Sequence, residues 1–361
     1  IFSFALKDSE AHYEMSISVR LLAPCAIGNP ITAYSMGNNR LVVGYASGKV
    51  VSVVPVENEL QLAGNCVQLD SDRNIVEVDE LLRHAEEAIR AVILRNDNRV
   101  CVVVGDIGVF DIKITDGTIE SPRLVLFDQT HEPIVCIRTY TLHHEHEIIV
   151  IKAGAFDAWL VNTINWSQTK IQVALPRRAV PILFDGSRII WTEESCCFNQ
   201  ISSPNIVVCQ TRDGCKLSKF QLLRWGTNSP VDVCDDLVAY VAGKARRSIV
   251  AMDISVSSKE DVSQRQPLWS CRAHRHTIVA ICVCKNNLSR DYRTNVVISM
   301  AKSSTVKLWS QGRCFQAFYR VYPIRFSFGY PYRIMVKDGK IYVTADQGIY
   351  QITFDNIPLE G

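Results

Sequence analysis

The chain has 361 residues, 47% of them apolar, and 39 Lys and Arg against 37 Asp and Glu for a formal net charge of +2. The apolar share excludes a disordered chain, and the balance argues against a strongly basic nucleic-acid binder and against an acidic solvating tail, while leaving room for a local basic patch. No run of about 18 uninterrupted apolar residues occurs, so no membrane-spanning helix is expected. Thirteen cysteines are present. Their number is odd, their spacing irregular, and Cys101, Cys136, Cys209, Cys234 and Cys282 sit inside apolar runs. They read as buried free thiols in a reducing compartment, cytosol or nucleus. The first residue is Ile1 rather than Met, as expected of a piece of a longer or processed chain.

In chain order, short runs rich in Val, Ile, Tyr and Phe alternate with Gly, Asn and Asp, the pattern of strands and tight turns. Ile31–Met36, Leu41–Tyr45 and Val50–Val54 form the first unit, joined by turns at Gly37-Asn38-Asn39 and Ser47-Gly48. The next segment breaks the rhythm. Apolar residues at 78, 81, 82, 85, 88 and 89 make a helical stripe, with Asp79/Arg83 and Glu86/Arg90 as i,i+4 pairs, so a helix over 76–90 is predicted. It either packs on the edge of the fold or helps dock a partner. Strand triplets then recur at Ile89–Leu94, Arg99–Val104 and Val109–Ile114, and at Ile134–Tyr140, Ile148–Lys152 and Ala158–Val161. Residues 177–224 form one less regular unit whose strand order stays open. Three further triplets begin at Val231, Ile278 and Tyr332.

Seven units spaced about 50 residues apart predict an all-β, seven-bladed β-propeller rather than two packed sandwiches. Each small sheet has two apolar faces and must stack on its neighbours to bury them. The expected organisation is one domain over 1–361. Segment 1–30 completes the last blade, Ile17–Leu22 supplying its outer strand, and the helical insert lies between the first two blades.

One unit carries a more specific pattern: Ala273-His274, then Ile278–Val283, then Val297–Trp309 with Ser299 and Thr305-Val306-Lys307-Leu308-Trp309. This resembles a WD repeat, and the chain resembles a divergent member of the WD-repeat β-propeller family. His274 matches the Gly-His position, Ser299 the second-strand hydroxyl and Trp309 the third-strand Trp. The resemblance implies that these three are structural partners in a hydrogen-bonded network, since a buried indole and imidazole need partners. The family's Asp is missing from the turn, where Lys302 and Ser303 stand, and Ser310 follows Trp309.

Five clusters are candidates for chemistry. His143-His144-Glu145-His146-Glu147 has metal-ligand residue types but falls between two predicted strands, so a solvated hairpin loop is the expectation. Arg272, His274, Arg275 and His276 suit an anionic or phosphopeptide partner, with His274 also claimed by the blade. Pro176-Arg177-Arg178-Ala179 is a poor match to the paired arginines of phosphoinositide-binding propellers. Lys244, Arg246 and Arg247 form a basic turn. Cys282 and Cys284, two apart, share one strand face. No CxxC pair, nucleophile elbow, phosphate loop or dinucleotide-binding turn occurs, so no catalytic residue, metal or cofactor is expected. The expected function is a non-catalytic scaffold in a multiprotein complex, with Arg272, Arg275, His276, His143, His144 and His146 as candidate partner-binding residues. The alternatives are an accessory subunit of an RNA- or DNA-handling complex, which a basic stripe on the assembled surface would favour, and a propeller-fold hydrolase.

Overall fold

The computed structural model describes residues 17–24, 29–37, 40–53, 78–83, 88–95, 99–104, 108–115, 118–126, 134–139, 147–152, 157–162, 165–174, 180–184, 188–193, 196–197, 200–201, 205–210, 217–222, 229–255, 266–286, 295–319, 321, 332–337, 339–345, 348–354 and 359–360. Among these, seven antiparallel sheets hold four or five strands each, and a two-stranded hairpin makes an eighth.

The first sheet runs Ile31–Gly37, Arg40–Tyr45, Lys49–Val53, Val78–Arg83. The second runs Ile89–Leu94, Arg99–Val104, Gly108–Thr115, Arg123–Leu126. The third runs Ile134–Thr139, Glu147–Lys152, Asp157–Asn162, Gln168–Ala174. The fourth, whose order the sequence left open, runs Val180–Phe184, Arg188–Glu193, Asn205–Gln210, Leu217–Gln221. Its irregularity comes from the hairpin of Cys196–Cys197 and Gln200–Ile201 inserted between its second and third strands. The fifth runs Val231–Cys234, Leu237–Ala242, Ser248–Asp253, Trp269–Arg272, and the sixth Ile278–Asn286, Asn295–Ala301, Thr305–Ser310, Arg313–Phe318. The seventh takes Arg333–Lys337, Lys340–Ala345 and Gly348–Phe354 from the end of the chain. Its outer strand is Ile17–Pro24, paired antiparallel to Gly348–Phe354 from Ile17 opposite Phe354 to Pro24 opposite Gly348.

The first strands of successive sheets contact one another from the first sheet through to the seventh. A cluster containing Leu22, Tyr342 and Ile349 of the seventh sheet and Ile31, Leu41 and Val43 of the first joins the two ends. Strand alternation explains why the inner strands read as unbroken apolar runs. In Leu237–Ala242, Val238, Tyr240 and Ala242 pack toward the fourth sheet, whereas Ala239 and Val241 pack toward the sixth. Both faces are buried, so both parities must be apolar. Fully burying an aromatic such as Tyr240, at 0% exposure, contributes roughly 2–3 kcal/mol. Close approach of the first two sheets needs Gly44, where a Cβ would sit 2.4 Å from the Ile89 side chain.

The predicted helix over 76–90 is corrected. Val78–Arg83 is the fourth strand of the first sheet, and Ile89–Leu94 opens the second; 76–77 and 84–87 lie outside the described residues. The misleading stripe has a physical source. The register of Val78–Arg83 against Lys49–Val53 shifts by one residue between Glu80 and Leu82. Such a bulge places one extra residue, Leu81, in the strand, so the strand accommodates the adjacent apolar pair Leu81-Leu82, whose spacing from Val78 also fits a helix. The described residues contain no helix, and so none long and apolar enough to cross a membrane.

Candidate functional site

In a ring of antiparallel meanders, alternate turns fall on opposite rims. We call upper the rim that carries the second-to-third-strand turns and the links between sheets, and lower the other. The upper rim of the fifth and sixth sheets is made of three segments: the turn 243–247, the link 273–277 and the turn 302–304. Backbone hydrogen bonds tie them together. Arg247 O accepts from the N–H of Ala273 (2.9 Å) and His274 (3.2 Å), Arg246 O from Ile278 N–H (2.8 Å), and Thr277 O from Lys302 N–H (2.9 Å). Gly243, Arg246 and Ser304 take the left-handed backbone these turns require, with φ of 83°, 49° and 54°.

Beneath this rim the structure brings His274, Ser299 and Trp309 together. The Trp309 indole N–H donates to Ser299 Oγ at 2.8 Å, and His274 Nε2 lies 2.8 Å from the same oxygen. The two rings meet edge-on, 6.3 Å between centroids. All three residues are buried. An indole only donates, so the hydroxyl accepts there and its own proton is free for a neutral imidazole nitrogen. Burial, then the Lys307 ammonium and then His276, push the His274 pKa down to about 4.

Where the WD-repeat pattern has a carboxylate, this blade has hydroxyls and a cation. Ser303 Oγ and Thr305 Oγ1 are 3.1 Å apart. Lys307 Nζ donates to Ala273 O at 2.9 Å and lies 5.5 Å from the centre of the Trp309 ring, within cation–π range. Residue-by-residue reading missed Lys307, although its position two residues before Trp309 on the same strand put the ammonium on the Trp face.

The same rim gathers the candidate binding residues. Arg272, Arg275 and His276 are exposed, and so are Lys244, Arg247 and Lys302. Two clusters that the sequence presents 25 residues apart are therefore one surface: Arg272 is paired in register with Ser248, directly after Arg247. Among the described residues, Lys244, Arg247, Arg272 and Arg275 make no ion pair. A local charge count points to the stretch that supplies Arg272, Arg275 and Lys302 to this surface, where the net charge of the whole chain hides it. Residues 262–337 contain thirteen Lys and Arg and a single carboxylate, Asp291.

His143, His144 and His146 lie outside the described residues, as do Arg177 and Arg178. Among the described residues no group of three or more His, Cys, Asp or Glu is placed to hold a metal. Cys282 and Cys284 pack in one cluster between the sixth and seventh sheets. Burial raises both thiols, and it pushes Cys101 and Cys234 up to about 12, so these cysteines behave as small apolar side chains rather than nucleophiles.

No protein-family model matches the chain, and no curated protein matches it in sequence. Solved structures do match its fold. A structure of U3-55K aligns over 94% of this chain and 98% of its own, with TM-score 0.57 and 10% identity. The RRP9 WD40 repeats align over 95% and 98%, with TM-score 0.56 and 10% identity. BBS1N, solved in complex with ARL6DN, aligns over 92% and 96%, with TM-score 0.56 and 12% identity. At these identities the likeness shows the fold, a β-propeller, and no more.

Proposed function

We propose that this chain is a seven-bladed, WD-repeat-like propeller that serves as a non-catalytic scaffold in a multiprotein complex, docking a partner on its upper rim through Arg272, Arg275 and His276. The observation that carries this reading is the rigid cationic rim. Loops fixed on a sheet scaffold are where binding residues concentrate, and these turns are cross-tied by backbone hydrogen bonds. BBS1N, a propeller solved with a protein partner, illustrates that use of the fold; the step to this chain is analogy. The seven sheets, the packing of the seventh on the first and the pairing of Ile17–Pro24 with Gly348–Phe354 support a closed ring within one domain.

The test replaces Arg272, Arg275 and His276 by Ala in the full chain and compares co-purified proteins with those of the wild type. Loss of one or more partners from a folded variant is expected. Unchanged recovery would move the interface off this rim. The basic rim also favours a second reading, an accessory subunit of an RNA- or DNA-handling complex. Binding to tRNA or single strands that weakens steeply with salt would support it.

A further inference from the structure

We infer that the upper rim of the fifth and sixth sheets is a docking face for an acidic stretch of a partner protein, built from Lys244, Arg247, Arg272, Arg275, His276 and Lys302. The inference rests on the scaffold reading and gives its partner a chemistry.

Charge is the first argument. All six side chains are exposed, and the three segments that carry them, 243–249, 271–280 and 301–309, contain no Asp or Glu. The rest of the chain outside 262–337 holds 36 of the 37 Asp and Glu. Cations thus outnumber carboxylates along 262–337 of a nearly neutral chain, and Arg272, Arg275 and Lys302 of that stretch stand on this rim. Like charges held together on one rim repel one another, and an opposite charge from outside relieves that repulsion.

Geometry is the second argument. Arg247, Arg272 and Arg275 carry planar forks that grip carboxylates two bonds at a time. Their backbones are pre-positioned: Ala273 and His274 hang from Arg247 O, and Lys302 N–H is held by Thr277 O. A short extended segment crossing three adjoining turns meets cations from each, on backbones that are already held in place so that only the side chains remain to be ordered on binding.

Cations alone would suit a nucleic acid as well, but the described surface beside them is poor in stacking platforms, which favours the acidic segment over single strands. Such ligands track a groove lined with aromatic platforms on which bases stack. The large exposed apolar residues among the described ones are Leu124, Leu268 and Tyr319. Only Tyr319, which precedes the Val321 N–H···Ser304 O bond, borders this rim.

The test titrates the purified full chain into a fluorescein-labelled oligoglutamate of about 12 residues and reads anisotropy, with a labelled oligouridylate of equal length in parallel. The peptide is expected to bind at about 50 mM NaCl and to weaken several-fold by about 300 mM, as screening predicts. Arg247→Ala/Arg272→Ala/Arg275→Ala should weaken it by about tenfold or more, while Lys substitutions at the same sites retain part of the binding. Lys285→Ala on the lower rim should leave it unchanged. Matching thermal unfolding of wild type and variants excludes misfolding. Absence of peptide binding, equal binding by the triple Ala variant, or displacement of the peptide by the oligouridylate overturns the inference. Co-purification separates the two readings. Stable protein partners without peptide binding would sink the acidic-segment inference and leave the scaffold. Peptide binding without any co-purifying protein would sink the scaffold and leave this face an acidic-peptide site.

Discussion

The two rims of the fifth and sixth sheets handle charge in opposite ways. On the lower rim each carboxylate of the fifth sheet is engaged within the fold. Asp236 pairs with Arg188 of the fourth sheet, and Asp235 lies 3.1 Å from Lys285 of the sixth. Asp232 accepts Val283 N–H at 2.8 Å, and Asp253 accepts Ser255 N–H at 2.7 Å. These bonds stitch three successive sheets. On the upper rim Arg247, Arg272 and Arg275 make no ion pair among the described residues. There the turns are joined by main-chain bonds, and support comes from the buried His274–Ser299–Trp309 network below. The carboxylates of the fifth sheet on the lower rim are therefore structural, whereas Lys244, Arg247, Arg272 and Arg275 on the upper rim make no ion pair among the described residues. The comparison makes separate claims about the buried network, the paired charges and the open ones.

The largest effect is expected from the network. Trp309→Ala removes a side chain 4% exposed and empties a cavity between two sheets, which costs about 3–5 kcal/mol. Ser299→Ala leaves the indole N–H and the imidazole without their shared partner, and each buried orphan costs about 1–3 kcal/mol. Denaturant unfolding of both variants measures this. A loss below about 1 kcal/mol for Trp309→Ala would mean that the upper rim does not rest on this network.

A smaller effect follows from His274. Its pKa of about 4 in the fold lies below the value near 6.5 of an unfolded His. As pH falls from about 6.5 to about 4, the unfolded chain takes up a proton that the folded chain refuses, so stability is lost across that window. At about 1.4 kcal/mol per pH unit, the loss approaches about 3 kcal/mol. Carboxylates titrate nearby, so the quantity to measure is the difference between wild type and His274→Asn from pH 7 to pH 4. Parallel curves would show that His274 titrates normally, and that neither burial nor Lys307 holds it neutral.

How legible this was depended on burial. The inner strands announce themselves because both faces are covered: Arg99–Val104 and Leu237–Ala242 read as apolar runs and lie where the sequence places them. The outer strands do not. Arg313–Phe318 runs from exposed residues to a single buried one, and Trp269–Arg272 is half-buried to exposed throughout, so neither carries a clean period. Val78–Arg83 imitates a helix in sequence because a bulge interrupts its alternation. The WD-like trio was legible because a Trp and a His at blade spacing have few other uses. The rim was only half legible. Arg272 pairs with Ser248, the neighbour of Arg247, a contact that no local pattern encodes, and a net charge near zero averages away a basic stretch over 262–337 in an acidic remainder.

The smallest effects separate the two kinds of surface charge. Arg188 is mostly covered, with 17% of its side chain exposed, while Asp236 is half exposed. Arg188→Ala also frees Asp235 O, which accepts from Arg188 Nη2 at 3.3 Å. Such a pair contributes about 0.2–1 kcal/mol and is screened by salt. Unfolding of Arg188→Ala should therefore show a small loss that shrinks as NaCl is raised. Arg275→Ala on the upper rim removes a cation with no ion pair among the described residues from among like charges. Its unfolding midpoint should stay level or rise slightly at low salt and merge with the wild type at high salt, because relieved repulsion is screened in the same way as attraction. The sign is the discriminating observable. If Arg275→Ala destabilised the chain and salt reduced the loss, Arg275 would be paired within the fold and the distinction between the rims would collapse.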